Sequence, residues 1–233
     1  YSALMVMKHL YGPTKMRKFL KYELDNYLSG RGGERVEEEP LALVENQAYI
    51  HYRKGSVIFY ALQDYIGEDK VNAALRQWLG AVKFQQLPYT DTRDLIAPLR
   101  AEAGPQYQGL VTDFFDRITL FDDRMVKAAA KKLPDGKYRV TLQVHAAKSY
   151  ADGKGKETRA KVDIPIEIGV FAKAADGEEQ DEKPLYLAKM PVADGDSTIS
   201  VVVDGQPYEA GIDPFNELVD RVSDDNRAQV TLE

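Results

Sequence analysis

Near residue 121 the spacing of apolar residues changes from a helical period to a period of two, and that change limits the folds open to this chain. Upstream, Ala3, Leu4, Met7, Leu10 and Tyr11 share one helical face. After the break Gly12-Pro13-Thr14, Met16, Phe19, Leu20, Leu24, Tyr27 and Leu28 share another. The stretch SGRGG is expected to stop this second helix and leave a charged loop from Gly32 to Leu43. A third helix is predicted from about Gly55 to Ile66, with Val57, Ile58, Ala61, Leu62, Tyr65 and Ile66 inward and Gly67 as a left-handed terminator. Asp69–Leu79 reads as a short helix, Thr90 or Thr92 as the cap of another that buries Leu95, Ile96 and Leu99, and Gln106–Arg117 as the last. Helices this short depend on packing against one another.

Downstream, KYRVTLQVHA alternates, with Tyr138, Val140, Leu142 and Val144 on one face and Arg139, Thr141, Gln143 and His145 on the other. Pro134-Asp135-Gly136 is the tight turn to a preceding strand from about Arg124 to Leu133. Further strands are predicted at Lys161–Ala172, Lys183–Pro191, Thr198–Val203, Tyr208–Ile212 and Ala228–Leu232, parted by the turns ADGKGKE, AADGEEQDEKP, ADGDS and DGQ. Seven short strands so spaced suggest a β-sandwich of roughly 100 residues. The boundary falls near 121–124, and no internal repeat crosses it.

Composition removes several functions. With 31 Lys+Arg against 37 Asp+Glu, the net charge of −6 repels phosphate backbones, and no basic stripe offsets it, so nucleic acid is not an expected partner. The absence of cysteine excludes disulfides, Cys-ligated metal and thiol catalysis. No apolar run approaches the ~20 residues that span a bilayer, so no direct membrane insertion by this chain is expected. The chain starts at Tyr1 with neither an initiator Met nor a capping side chain ahead of its apolar run, and is expected to be a piece of a longer protein.

Chemistry has few candidates. A catalytic zinc needs about three protein ligands, whereas His9, His51 and His145 lie in three different segments, and no His-Glu-x-x-His occurs. No serine sits in a Gly-x-Ser-x-Gly elbow, and SGRGGE is not a phosphate loop. Glu37-Glu38-Glu39 reads as a solvated charge run, and Gly32–Glu39 and Gly153–Glu157 as loops without support. What remains is YIHYRKG. Tyr49 and Tyr52 sit near one another on a helical approach, and Arg53 and Lys54 beside Tyr52 would favour an ionised phenol or an anionic partner. Spacing alone favours the plainer reading, in which Tyr49 and Ile50 pack inward and Tyr52 is a half-exposed aromatic at a helix start.

The order of the segments YSALMVMKHLYGPTKMRKFLKYELDNYLSGR, EEPL, YIHYRKGSVIFYALQDYIGEDKVNAALRQWL and LPYTDTRDLI resembles the gluzincin zinc aminopeptidases, the family of aminopeptidase N and leukotriene hydrolase. The resemblance covers Tyr1 to about Leu99 and resumes at AGIDPFNELVDRVSDDNRAQV, similar to the end of the β-sandwich that follows the catalytic domain in such enzymes. It implies an α+β fold in two parts. Residues 1–121 would be the helical, thermolysin-like C-terminal lobe of a catalytic domain, and residues 122–233 an all-β immunoglobulin-like sandwich. In this family a zinc-bound water attacks the peptide carbonyl, and a tyrosine in a Tyr-x-Lys-Gly motif hydrogen-bonds the developing oxyanion. Here the motif is YRKG, which gives Tyr52 that role with Lys54 and Gly55 as motif support. The zinc ligands and the amine-binding loop lie upstream in the family, and neither is in this chain. The resemblance therefore implies zinc and a peptide substrate for the parent, a missing N-terminal half as partner, and no zinc on this chain alone. Some bacterial relatives are attached to membrane-spanning segments, which would place the parent in the cell envelope. The rival expectation is a non-catalytic scaffold.

Overall fold

The computed structural model describes residues 1–174 and 182–233. The helical elements come first: α1 Ser2–Tyr11, α2 Met16–Gly33, α3 Gly55–Ile66, α4 Glu68–Val82, α5 Thr92–Ala103 and α6 Gln108–Val111. Short 3-10 turns at Pro13–Lys15 and Pro105–Tyr107 and π-turns at Tyr49–Lys54 and Thr112–Asp116 complete this part. The strands follow: β1 Ile118–Lys132, β2 Tyr138–Ala151, β3 Glu157–Ala160, β4 Pro165–Phe171, β5 Pro184–Pro191, β6 Gly195–Val203, β7 Glu209–Ile212 and β8 Arg227–Leu232. The fold is α+β.

The predicted third helix agrees with α3 to the residue. Gly67 follows it with φ 100 and ψ 140, so the positive φ holds but the conformation is extended rather than left-handed helical. Three helix ends differ from expectation. SGRGG lies inside α2, which runs to Gly33 because Gly30 lets Tyr49 pack on the helix: a Cβ there would stand 2.5 Å from Tyr49 Cβ. The cap of α5 is Asp91, whose side chain accepts from Arg93 N–H while Asp94 returns a bond to the Asp91 N–H, a complete capping box. Gln106–Arg117 is not one helix but a 3-10 turn, α6 and a π-turn in succession.

The strands form a curled eight-stranded sheet in the order β3-β2-β1-β8-β7-β4-β5, with β6 also on β2. All pairs are antiparallel except β1 with β8, which run parallel. Val140, Leu142, Val144 and Ala146 of β2 are buried, which is the expected alternation. The turn at Pro134-Asp135-Gly136 closes the β1–β2 hairpin, with Gly136 at φ 87. One strand went unread: β3, inside and just after the ADGKGKE turn, pairs with Lys148–Ala151. The turn expected at 174–184 falls largely outside the described residues.

One apolar cluster runs through both parts, joining Ile58, Leu62, Ile66, Phe114 and Phe115 to Phe121, Val140, Ile166 and Ile168. Polar contacts cross the same junction: Tyr65 Oη donates to Pro165 O at 2.8 Å, and Lys148 Nζ and Tyr150 Oη donate to Asp113 at 2.7 and 2.9 Å. Among the described residues no helix is long and apolar enough to cross a membrane.

Candidate functional site

The π-turn Tyr49–Lys54 runs directly into α3. Such turns insert one extra residue per turn and recur at functional sites. This one opens on Gln47, whose carbonyl accepts from Ile50 N–H at 3.0 Å and His51 N–H at 3.3 Å. The Gln47 side chain ties the turn to the preceding loop, accepting from Glu39 N–H at 3.0 Å and donating to Glu37 O at 2.9 Å. Ser56 Oγ closes the far end by donating to Arg53 O at 2.8 Å.

Within the turn the side chains divide. Ile50 and Lys54 are buried, while Tyr52 between them is 71% exposed. Its ring lies 4.6 Å from that of His51, also exposed. Tyr52 stands on a ridge between two clefts. One, of about 680 Å³, is lined by Leu4, Met7, Phe19, Tyr22 and Glu23. The other, of about 470 Å³, is lined by Leu41, Val44, Phe59, Leu95 and Phe115. Tyr1, Tyr52 and Ser56 border both. Gly55 lies on the second wall, where a Cβ would meet Leu41 Cδ1 at 3.5 Å and Ile50 O at 3.6 Å. Packing alone therefore does not require glycine there.

The two cations do not serve the phenol as expected. Arg53 turns back to Glu23, with Nη1 at 3.2 and 3.0 Å from its carboxylate and the Tyr22 ring 5.3 Å from the guanidinium. Lys54 runs inward until Nζ lies 5.4 Å from the centroid of the Tyr27 ring, with no hydrogen-bond partner. Burial lowers its pKa to about 8, with Glu38 opposing that shift and Arg31 adding to it.

Glu38 corrects a second expectation. The glutamate run is not a solvated loop throughout, because Glu38 is buried. Tyr27 Oη donates to its Oε1 at 2.5 Å and Arg31 Nε to its Oε2 at 2.7 Å. Burial first, and the Glu38 charge next, hold the Tyr27 phenol well above its ordinary pKa. Tyr27 also stacks on Tyr49, ring centroids 5.9 Å apart. Nor are Gly32–Glu39 and Gly153–Glu157 unsupported, since Glu38 N–H donates to Gly153 O at 3.0 Å and Lys154 pairs with Glu37 at 3.3 Å. Tyr27 is buried on the apolar face expected of it, but its meeting with Arg31 and Glu38 was not expected from the sequence. The i, i+4 spacing of Tyr27 and Arg31 on α2 was the one available signal.

The histidines stay apart. His9 pairs with Glu68 at 3.1 Å, His145 with Asp196 at 2.6 Å, and His51 lies beside Tyr52. Among the described residues no three His, Asp or Glu side chains are grouped to hold an ion, so these residues by themselves do not fit a catalytic zinc. Compared with models of known protein families and with curated proteins, the sequence matches none.

Proposed function

We propose that this chain is the part of a zinc-dependent aminopeptidase that carries the transition-state phenol. The Tyr52 hydroxyl would donate a hydrogen bond to the oxyanion that develops on the scissile carbonyl of a peptide. The zinc ligands and the groups that bind the substrate amine would come from residues outside the chain, and the chain alone would be inactive. The observation that carries this reading is the mount of Tyr52: an exposed phenol between two clefts, on a turn whose flanking residues Ile50 and Lys54 are buried. A donor fixed in advance stabilises developing charge without reorganising at the moment of reaction. The guanidinium of the neighbouring Arg53 is engaged by the Glu23 carboxylate, at 3.0 Å.

The strand part would be an immunoglobulin-like sandwich in this reading. Two pairing groups support it, β3-β2-β1 with β6 on one side and β7-β4-β5 on the other, with β8 joining them. A second reading, a non-catalytic scaffold, is favoured by the surface between α4 and α5. There Leu79, Leu87 and Tyr89 are exposed and Phe84 is 95% exposed, an apolar stretch suited to a protein partner.

The test is Tyr52→Phe in the complete parent enzyme with an aminoacyl 4-nitroanilide. Loss of one oxyanion donor is expected to lower kcat about 10²–10³-fold with KM little changed. An unchanged kcat/KM would sink the catalytic reading and favour the scaffold.

A further inference from the structure

We propose that the β2–β3 turn of the sheet is a positioning element for Tyr52, acting through Glu38, Tyr27 and Lys54. The turn is stiff. Asp152 Oδ1 accepts from Lys154 N–H at 2.8 Å and Lys156 N–H at 3.0 Å, and Asp152 N–H donates to Lys156 O at 3.0 Å. Gly153 stands at φ +79, and a Cβ on it would lie 2.3 Å from Glu38 O, so the contact is backbone against backbone. Glu38 N–H donates to Gly153 O, and the flanks are tied as well, Lys154 to Glu37 at 3.3 Å and Arg31 to Glu157 at 3.6 Å.

Glu38 therefore has its main chain on the sheet and its carboxylate on α2. The carboxylate fixes the Tyr27 phenol, and the Tyr27 ring in turn meets Tyr49 and Lys54. Those are the first and last residues of the turn that presents Tyr52. Gly153 is about a hundred positions from Tyr52 in the chain; the links from Gly153 O to Glu38 N–H and from the Glu38 carboxylate to Tyr27 and Arg31 cannot be broken singly without leaving a donor or charge unpaired. The last links, from the Tyr27 ring to Tyr49 and Lys54, are packing contacts between buried or part-buried side chains. A phenol that must meet a developing oxyanion tolerates little displacement, since a misplacement of about 1 Å costs on the order of 10²-fold in rate. The sheet thus acts on the chemistry from outside the clefts. This role rests on the reading of Tyr52 as the working phenol. The physical coupling does not, and it can be measured by itself.

The experiment places 3-fluorotyrosine at position 52 of this chain and compares Gly153→Ala with the parent chain by fluorine NMR and amide hydrogen exchange. The expected result is a shifted or split Tyr52 resonance and exchange about tenfold faster across residues 49–55, while the β1–β2 hairpin keeps its protection. Where Gly153→Ala does not fold, Glu38→Gln is read by the same criteria, because it keeps the shape and removes the charge that faces Tyr27, Arg31 and Lys54. An unaltered resonance with exchange faster only across residues 34–39 overturns the proposal, as does uniform loosening of the whole chain. In the complete enzyme, Gly153→Ala is expected to lower kcat and leave KM in place. Coupling at Tyr52 with no catalytic effect of Tyr52→Phe would sink the aminopeptidase reading and leave the coupling standing.

Discussion

Tyr52 and Lys54 stand two residues apart on one π-turn, yet the tyrosine is 71% exposed and the lysine 1%. The turn spends a buried cation to hold an exposed hydroxyl. That division is the pattern expected where stability is given up for a presented group.

Lys54→Met is therefore expected to stabilise the fold. The folded-state pKa of about 8 lies below the ordinary 10.5, so the folded chain binds fewer protons between those values. The lysine's favourable contribution is present above 10.5 and is lost as pH falls through 8. At pH 7 the variant should gain up to about 3 kcal/mol in urea unfolding, the gain shrinking towards pH 10.5. A variant less stable than the parent at pH 7 would mean that attraction to Glu38 outweighs burial.

Tyr27→Phe removes one of the two donors to the buried Glu38 carboxylate and leaves Arg31 alone with it. A loss of about 1–3 kcal/mol is expected. The double variant Tyr27→Phe/Glu38→Gln should recover part of that loss, because the unpaired charge goes with it. Thermal melts of the three variants check the cycle, and strict additivity would show that the two groups act independently.

The carboxyls of Asp213 and Asp220 give the strand part a pH dependence. Asp213 accepts from Glu217 N–H and Leu218 N–H, both at 3.0 Å, yet its burial raises its pKa to about 8. Burial raises Asp220 to about 6. Each lies above the ordinary 3.8, so the folded chain holds the extra protons, and the stability these groups give is complete below about pH 4 and lost as pH rises through 6 and 8. The urea midpoint should fall between pH 5 and pH 8.5, and Asp213→Asn should flatten the slope. A midpoint that climbs over that range would contradict the assignment.

Gly55→Ala should fold and gain about 0.5–1 kcal/mol, because the position is helical and the added methyl meets only ordinary contacts. If the variant keeps its stability while a parent aminopeptidase of the kind proposed loses activity, the glycine serves the second cleft. If the variant unfolds, it serves packing.

Much of the frame was legible from residue spacing. The apolar pattern of Val57 to Ile66 between two glycines bounded α3, and the alternation of Tyr138 to Val144 placed β2. β3 was not legible, since Glu157-Thr158-Arg159-Ala160 carries no apolar alternation and owes its form to pairing with β2. The α5 cap was expected at Thr90 or Thr92 and is Asp91 instead, whose N–H donates to the Asp94 carboxylate while its own side chain accepts from Arg93 N–H. At the site, YRKG named Tyr52, Lys54 and Gly55. The direction of Lys54 and the burial of Glu38 were out of reach, because both depend on Tyr27 and on the carbonyl of Gly153 in a distant hairpin.

The parallel pairing of β1 with β8 has a mechanical consequence. Ala128, Ala129 and Ala130 lie beside Val230, Thr231 and Leu232, and the two strands point the same way. A pull applied ahead of Ile118 and beyond Leu232 would draw them in opposite directions along their own axes. Their hydrogen bonds would share the load and have to rupture together rather than peel one by one. Tension along the chain would thus meet its first resistance in a three-residue shear clamp, and the antiparallel hairpins behind it would stay unloaded until that clamp gave way.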